Sequence, residues 1–500
     1  MRRILLSFHG ALWGVPMLVL ILGVGLQIGY ATGFVQIRLF ARSMKLFVQK
    51  MCRRSSGSGV SAFRAMCTAL GATVGTGNII GVAGALCLGG PGAIFWMWIC
   101  GILAMGTKFA EATLAVRYRI PSGDTFIGGP MYMMTEGLGK RWKRLAALYC
   151  ILGLAASFGV GNAAQIHAVI SGINSVLEVW DIAETIRRNC AVGLILAVIL
   201  GSILLGGAEK IGSTAEILVP WMSVLYLALC CIVLMIRRDF LADAFFSIFR
   251  GAFSPEAVTG GMVGSAVQAL KTGCCRGVFT NEAGMGTASM AHASADVAHP
   301  VEQGMLGIVE VFLDTILLCT LTALVILVSG VPIPYGTDGG GSLALAAFSG
   351  VCGDWVCILL AIALCCFAFA AVLGWGLYGA RCAQFLFGPG AWEPFAVAQT
   401  VAVAAGAVMN TQTVWLLSEL LNDLMAIPNL IVLVLLVPEL AHLTKEYIKK
   451  EGGIAAEGGN HADFHQCQPL RALSHEKVSS LRGGGGSAGK EDLSSEYRSA

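Results

Sequence analysis

The feature that most constrains this chain is a succession of apolar runs, each near the ~20 residues a helix needs to cross ~30 Å of hydrocarbon. Eleven are read, near residues 11–33, 64–88, 91–116, 145–171, 190–206, 213–236, 260–288, 304–330, 354–380, 394–410 and 413–437. Of the 500 residues 56% are hydrophobic and only 13% are charged, against about one quarter charged in soluble domains. So few charges cannot cover a water-soluble surface of this size, so lipid must solvate much of it. The sequence predicts an all-α integral membrane protein of about eleven transmembrane helices. The 64 glycines agree with this, because small residues let membrane helices approach closely.

Other classes fall away. The formal net charge of +3 is near neutral and dispersed, which gives no basis for nucleic-acid binding. Most of the 17 cysteines, such as Cys230-Cys231 and Cys365-Cys366, sit inside apolar runs as small hydrophobes. Cys274 and Cys275 are adjacent rather than two apart, which excludes a zinc or iron–sulfur spacing. Met1-Arg2-Arg3 and the run after it resemble a signal peptide, but no clean small-residue cleavage site follows, so the segment reads as a retained helix. No nucleophile elbow, HExxH pattern or P-loop appears, so neither an enzyme nor a nucleotide-driven pump is expected. The chain divides into a membrane domain over 1–440 and a polar, then Gly-rich, tail over 441–500 that is expected to be disordered.

Basic residues give the orientation. Arg38, Arg42, Lys45, Lys50, Arg53 and Arg54 fall between the first two runs, and Arg117, Arg119, Lys140, Arg141, Lys143 and Arg144 after the third. With Lys445, Lys449 and Lys450 these mark the inner side. The expected topology has an outside N-terminus and a cytoplasmic C-terminus, in the plasma (inner) membrane of a prokaryote.

Two runs are interrupted by residues that hydrocarbon does not tolerate. One reads Gly71-Ala72-Thr73-Val74-Gly75-Thr76-Gly77-Asn78; the other holds Arg276, Thr280, Asn281, Glu282 and Gly284 between Gly273 and Gly286. With the first helix set aside, these are helices 1 and 6 of a ten-helix core, at matching places in two five-helix halves. An odd number of spans per half inverts the second half relative to the first. Paired broken helices of this kind point to a binding site at the midplane of an inverted-repeat transporter. The positive end of a half-helix suits a carboxylate, and released carbonyls suit a hard cation. The chemistry fits a zwitterionic amino acid taken with a cation. Gly75-x-Gly77 also reads as a packing motif, but packing leaves Asn78 and the second interruption unexplained.

Arg276 and Glu282 read either as functional charges, as a structural ion pair or as residues at the membrane–water boundary. Lys108 and Glu111 read as a pair snorkelling at the cytoplasmic interface. Glu310 and Asp314, one turn apart, are expected to pair structurally with Arg276, with a proton relay as the other reading. His167, His292 and His299 read as packing or interface residues.

Thr73 to Ala83 (TVGTGNIIGVA), Gly89-Gly90-Pro91-Gly92-Ala93 and Phe95-Trp96-Met97-Trp98 resemble the signature of the sodium:alanine symporter family, the alanine or glycine:cation symporters. Lys108 to Glu111, Gly128 to Tyr132, Arg276 to Gly284, Ala291-His292-Ala293, Asp314-Thr315 and Leu373-Gly374-Trp375 extend the resemblance over about residues 10 to 440. It implies a five-plus-five fold like that of bacterial neurotransmitter-type sodium symporters, and uptake of alanine or glycine with sodium or sometimes protons. It also implies a substrate pocket of Thr76, Gly77 and Asn78, with Gln165, Phe279, Thr280, Asn281 and Trp375. By analogy of fold, the carbonyls of Gly71 and Val74 face a sodium ion. The resemblance gives no cofactor beyond the coupling ion; its partners are a small neutral amino acid and the bilayer.

The chain departs from the family at Ala370 and Ala371, where relatives carry hydroxyls, and at Ala380, where they carry Glu. Alanine offers a cation no side-chain oxygen. The leading expectation is a sodium-coupled symporter for alanine, glycine or a similarly small amino acid. The alternatives are a proton-coupled or exchange-mode carrier and, from another class, an uncoupled channel or receptor.

Overall fold

The computed structural model describes residues 15–52, 60–123, 125–178, 181–253, 266–337, 340–408 and 411–456. The tail from residue 457 and the first 14 residues lie outside that set.

The described chain is helical almost throughout. In order come α1 (Val15–Thr32), α2 (Phe40–Cys52), α3 (Ala62–Thr73), α4 (Ile80–Gly89), α5 (Gly92–Arg117), α6 (Lys143–Phe158), α7 (Ala164–Glu178), α8 (Ile186–Leu204) and α9 (Gly207–Ile236). Then follow α10 (Leu241–Phe253), α11 (Ala266–Asn281), α12 (Thr287–His292), α13 (Pro300–Val311), α14 (Cys319–Ser329), α15 (Gly340–Cys352), α16 (Trp355–Phe387), α17 (Trp392–Gly406) and α18 (Thr411–Ala456). Two wide π-turns, Gly159–Ala163 and Phe312–Leu318, join α6 to α7 and α13 to α14 without ending either span.

Each of the eleven sequence-read runs carries a helix. Among the described residues, seven helices are by themselves long and apolar enough to cross a membrane, or eight when α3 and α4 are taken as one bent span. The difference is physical: α1 and α17 are short of a full span, and α11 carries Lys271 and Arg276. The 13-residue apolar helix α15 falls outside the eleven runs. Helix α18 continues through Ala456, past residue 441 where the sequence places the start of the tail.

Glycine lets the central helix α5 lie against its neighbours at backbone distance. A Cβ on Gly273 of α11 would sit 2.2 Å from the carbonyl oxygen of Ala93, and one on Gly304 of α13 would sit 2.1 Å from Thr113 Oγ1. Both are far inside van der Waals contact, so only glycine fits. Helix α5 is therefore buried along the half that carries Lys108 and Glu111.

Two two-residue strands, β1 (Val60–Ser61) and β4 (Ala295–Asp296), pair in parallel, so the entry to α3 sits beside the exit from α12. Between them in sequence, β2 (Ile120–Ser122) and β3 (Thr125–Ile127) form a short hairpin. Ser61 caps α3 by accepting from the Arg64 amide at 3.0 Å.

Candidate functional site

Helices α3 and α4 meet at a 60° bend. The cause is local. In an unbroken helix the Gly75 and Asn78 amides would donate to the carbonyls of Gly71 and Val74, four residues earlier. Here Gly75 N–H donates to Asn78 Oδ1 at 3.0 Å, and Asn78 N–H to the Gly75 carbonyl at 3.3 Å. The carbonyls of Gly71 and Val74 thereby lose their helical donors.

The second break follows the same plan. Asn281 Oδ1 accepts from the Ala283 amide at 3.0 Å, which releases the Phe279 carbonyl. The chain then turns through Glu282, Gly284 and Gly286, all at positive φ (51°, 94° and 79°), before α12 begins. Such φ values strain any residue with a Cβ, so Glu282 must be held by its side chain. Its Oε2 accepts from Thr287 Oγ1 at 2.7 Å and its Oε1 from Trp375 Nε1 at 3.2 Å. It makes no ion pair with Arg276, contrary to one sequence reading.

Both breaks are tied to one π-turn. Asn78 Nδ2 donates to Asp314 Oδ1 at 2.7 Å, Thr315 Oγ1 to Asp314 Oδ2 at 2.8 Å, and Asn281 Nδ2 to Thr315 Oγ1 at 3.2 Å. Asp314 thus serves the breaks rather than Arg276.

Lys108 and Glu111 correct the interfacial reading, because both are 0% exposed. Lys108 does not snorkel because it has a partner: its Nζ lies 3.3 Å from Glu310 Oε1. The other Glu310 oxygen is 2.7 Å from His292 Nε2, and His292 Nδ1 is 2.7 Å from Gln303 Nε2. Glu310 is therefore also not a partner of Arg276. Glu111 Oε1 takes the amides of Gly284 (2.9 Å) and Gly286 (3.0 Å) and the Asn429 side chain (2.8 Å). Tyr149 Oη donates to the Met285 carbonyl at 3.0 Å. None of these roles for Glu111, Asn429 or Tyr149 is visible in the linear sequence.

Four of the sequence-read pocket residues meet in two pairs. Thr76 Oγ1 lies 3.5 Å from Gln165 Oε1, and a Cβ on Gly77 would lie 3.8 Å from the Phe279 ring. Gly77 and Phe279 are half-buried where Thr76, Asn78, Thr280 and Asn281 are buried. Thr280 Oγ1 is turned to its own helix, donating to the Arg276 carbonyl at 2.6 Å. Trp375 packs against Gly161, where a Cβ would fall 2.4 Å from Trp375 Cβ. Ala370 approaches the first break, its Cβ 3.4 Å from where a Gly71 Cβ would stand. A cavity of about 810 Å³ runs from Ile79 at the first break past His167 and Ser171 on α7 to Asp354 before α16. Among the described residues no group of three or more His, Cys, Asp or Glu could hold a metal ion.

A helical bundle with two broken spans, tied together at a buried polar centre that a cavity approaches, has the architecture of a multi-pass membrane transporter. The chain belongs to the sodium:alanine symporter family, whose model matches residues 1–459. It is 38% identical over 446 residues to the sodium/alanine symporter AgcS of Methanococcus maripaludis, covering 88% of this chain and 96% of that one. It is 35% identical over 444 residues to the probable sodium/glutamine symporter GlnT of Bacillus subtilis, covering 88% and 89%. The crystal structure of MhsT in complex with L-phenylalanine has the same fold, with a TM-score of 0.52 at 15% identity over 76% of this chain and 90% of that one.

Proposed function

We propose that this chain is a secondary active symporter that imports alanine, glycine or a similarly small amino acid with sodium by alternating access. It would reside in a prokaryotic plasma membrane with its N-terminus outside and its C-terminus in the cytoplasm. The observation that carries the reading is the meeting of the two breaks, where Gly77 faces Phe279 beside Thr76 and Gln165. Thr76, Gly77, Asn78 and Gln165 would meet the substrate's charged ends, with Thr280 and Asn281 forming the opposite wall. Phe279 and Trp375 would limit its side chain. Sodium would take the released carbonyls of Gly71 and Val74.

One observation favours a second reading, a proton-coupled or exchange-mode carrier. Ala370 faces Gly71 with a methyl group, where a hydroxyl would have offered the ion an oxygen.

The test is uptake of labelled alanine into proteoliposomes, with an inward sodium gradient and with sodium replaced by choline. Sodium-dependent accumulation supports the symporter. Uptake that follows an inward proton gradient and ignores sodium supports the second reading. No alanine uptake under either gradient overturns the substrate assignment.

A further inference from the structure

The carboxyl of Glu111 is unevenly satisfied. Oε1 accepts three hydrogen bonds, whereas Oε2 is buried and accepts none. The Asn429 side chain bound to it repeats the asymmetry: Nδ2 donates to Glu111 Oε1 and to the Gly284 carbonyl at 2.9 Å, while Oδ1 is buried without a donor. Two side chains already joined by one hydrogen bond therefore each hold out a bare acceptor.

The cation that acts on Glu111, Lys108, is shared with a second carboxyl. Lys108, on the same helix, is paired with Glu310 from α13, which also holds His292 from α12. Glu282 at the break is a further carboxyl, and Tyr149 of α6 and Tyr378 of α16 are the facing phenols. On α18 the nearest titratable groups are Asp423 and Glu439, six and ten residues along from Asn429. An ionised carboxylate at 0% exposure whose nearby cation is already paired elsewhere is costly in a membrane interior. Two buried acceptors without donors add to that cost.

We propose that Glu111 is a proton-binding site, with the proton carried on Oε2 and donated to Asn429 Oδ1. One proton, drawn from water, forms the Oε2–H bond and takes the carboxylate from charge −1 to neutral. The acid and the amide then close a ring of two hydrogen bonds, and both bare acceptors are satisfied. Oε1 keeps its grip on Gly284 and Gly286, so the occupancy of this site reports directly on the geometry of the second break. When the break moves and withdraws those amides, the ionised form loses its donors. Proton uptake and break movement are thereby linked. The part this plays in transport rests on the proton-coupled reading above; the site itself does not.

The test is infrared difference spectroscopy on the purified, reconstituted protein, stepping the buffer from mildly alkaline to mildly acidic without substrate. A protonated-carboxyl C=O band that is present in the wild-type chain and in the E282Q, E310Q and D314N variants, but absent in E111Q, assigns the proton to Glu111. Where E111Q fails to fold, E111D carries the test, its band shifted in frequency while E282Q, E310Q and D314N leave the wild-type band in place. A band that vanishes in one of those three instead, or no carboxyl band at all, overturns the proposal. Labelled-alanine uptake measured in parallel separates the two readings. The band without uptake retains the site and refutes the substrate; uptake without the band does the reverse.

Discussion

Asn78 and Asp314 stand 236 positions apart in the chain, yet the Asn78 amide donates to Asp314 Oδ1 at 2.7 Å and to the Asp314 carbonyl at 3.1 Å. Its Oδ1 meanwhile accepts from Gly75. Both polar groups of this side chain help to hold the first break open against the π-turn. Asn281 does the same for the second break through Thr315 and Ala283. The backbone geometry of the two breaks thus depends on two asparagines that converge on neighbouring residues.

Asn78→Ala removes three of these contacts and leaves Asp314 Oδ1 without its donor. Buried hydrogen bonds to charged groups contribute about 1.5–3 kcal/mol each, so substrate affinity should fall at least about tenfold, which is ~1.4 kcal/mol. Concentration dependence of uptake checks this; an unchanged affinity would refute the role of Asn78.

Lys108→Met should be among the most damaging changes, since it strands Glu310 in the bundle. Breaking a buried pair from one side costs about 3–5 kcal/mol, whereas replacing both partners by apolar residues is far milder. The thermal midpoint of the detergent-purified protein should drop sharply in the single variant and recover in Lys108→Met with Glu310→Leu. Absence of recovery would show that the pair does more than neutralise itself.

Ala370→Ser with Ala371→Thr restores hydroxyls where Gly71 and α16 approach. If those oxygens complete a sodium site, the sodium concentration for half-maximal uptake should fall, by up to about tenfold for ~1.4 kcal/mol of added binding. An unmoved sodium activation curve would count against that explanation of the departure.

Gly161→Ala tests the seat of Trp375. The new methyl would lie 2.4 Å from Trp375 Cβ and 2.5 Å from its Cγ, and over-packing of this kind costs about 1–3 kcal/mol. The displaced indole should also loosen its bond to Glu282. Uptake of alanine should decline and competition by larger amino acids should change. A variant with wild-type selectivity would place Trp375 outside the pocket.

His299 lies ahead of the span that begins at Pro300, its Nδ1 accepting from the Val301 amide at 3.2 Å and its ring 5.0 Å from Tyr447. Burial pushes its imidazole down from the ordinary 6.5 to about 4; Lys450 adds to the shift and Glu446 opposes it. Between those two values the unfolded chain binds a proton that the folded one does not, so stability must fall as pH drops through that window. Above 6.5 this contribution is flat. His299→Gln should flatten the slope of thermal midpoint against pH between about 6.5 and 4; a slope unchanged in the variant would assign it to other groups.

The two breaks were legible because glycine, Asn78 and Glu282 contradict the apolar runs that contain them, and such contradictions signal structure that hydrocarbon cannot dictate. The proposed pocket residues rest on the family resemblance alone. Lys108 and Glu111 misled, because a charge near the end of an apolar run looks the same whether it escapes to the interface or meets a buried partner. That partner is 202 positions away for Lys108 (Glu310) and 318 for Glu111 (Asn429). The π-turns at Gly159–Ala163 and Phe312–Leu318 left no mark, since one extra residue per turn does not interrupt an apolar run.

The pairing of Val60 with Ala295 and Ser61 with Asp296 is small, but it bridges the two broken spans at one end. Gln303 reaches the Ala62 carbonyl at 3.4 Å, and Arg119 caps the carbonyls of Ala293 and Ala295 from the far side. With a crossbar at that end and the Asp314 linkage near the middle, the two broken spans are joined at two levels. They behave as two prongs of one fork, so a tilt begun at either break is shared by both, and a single pivot serves where two would otherwise be needed.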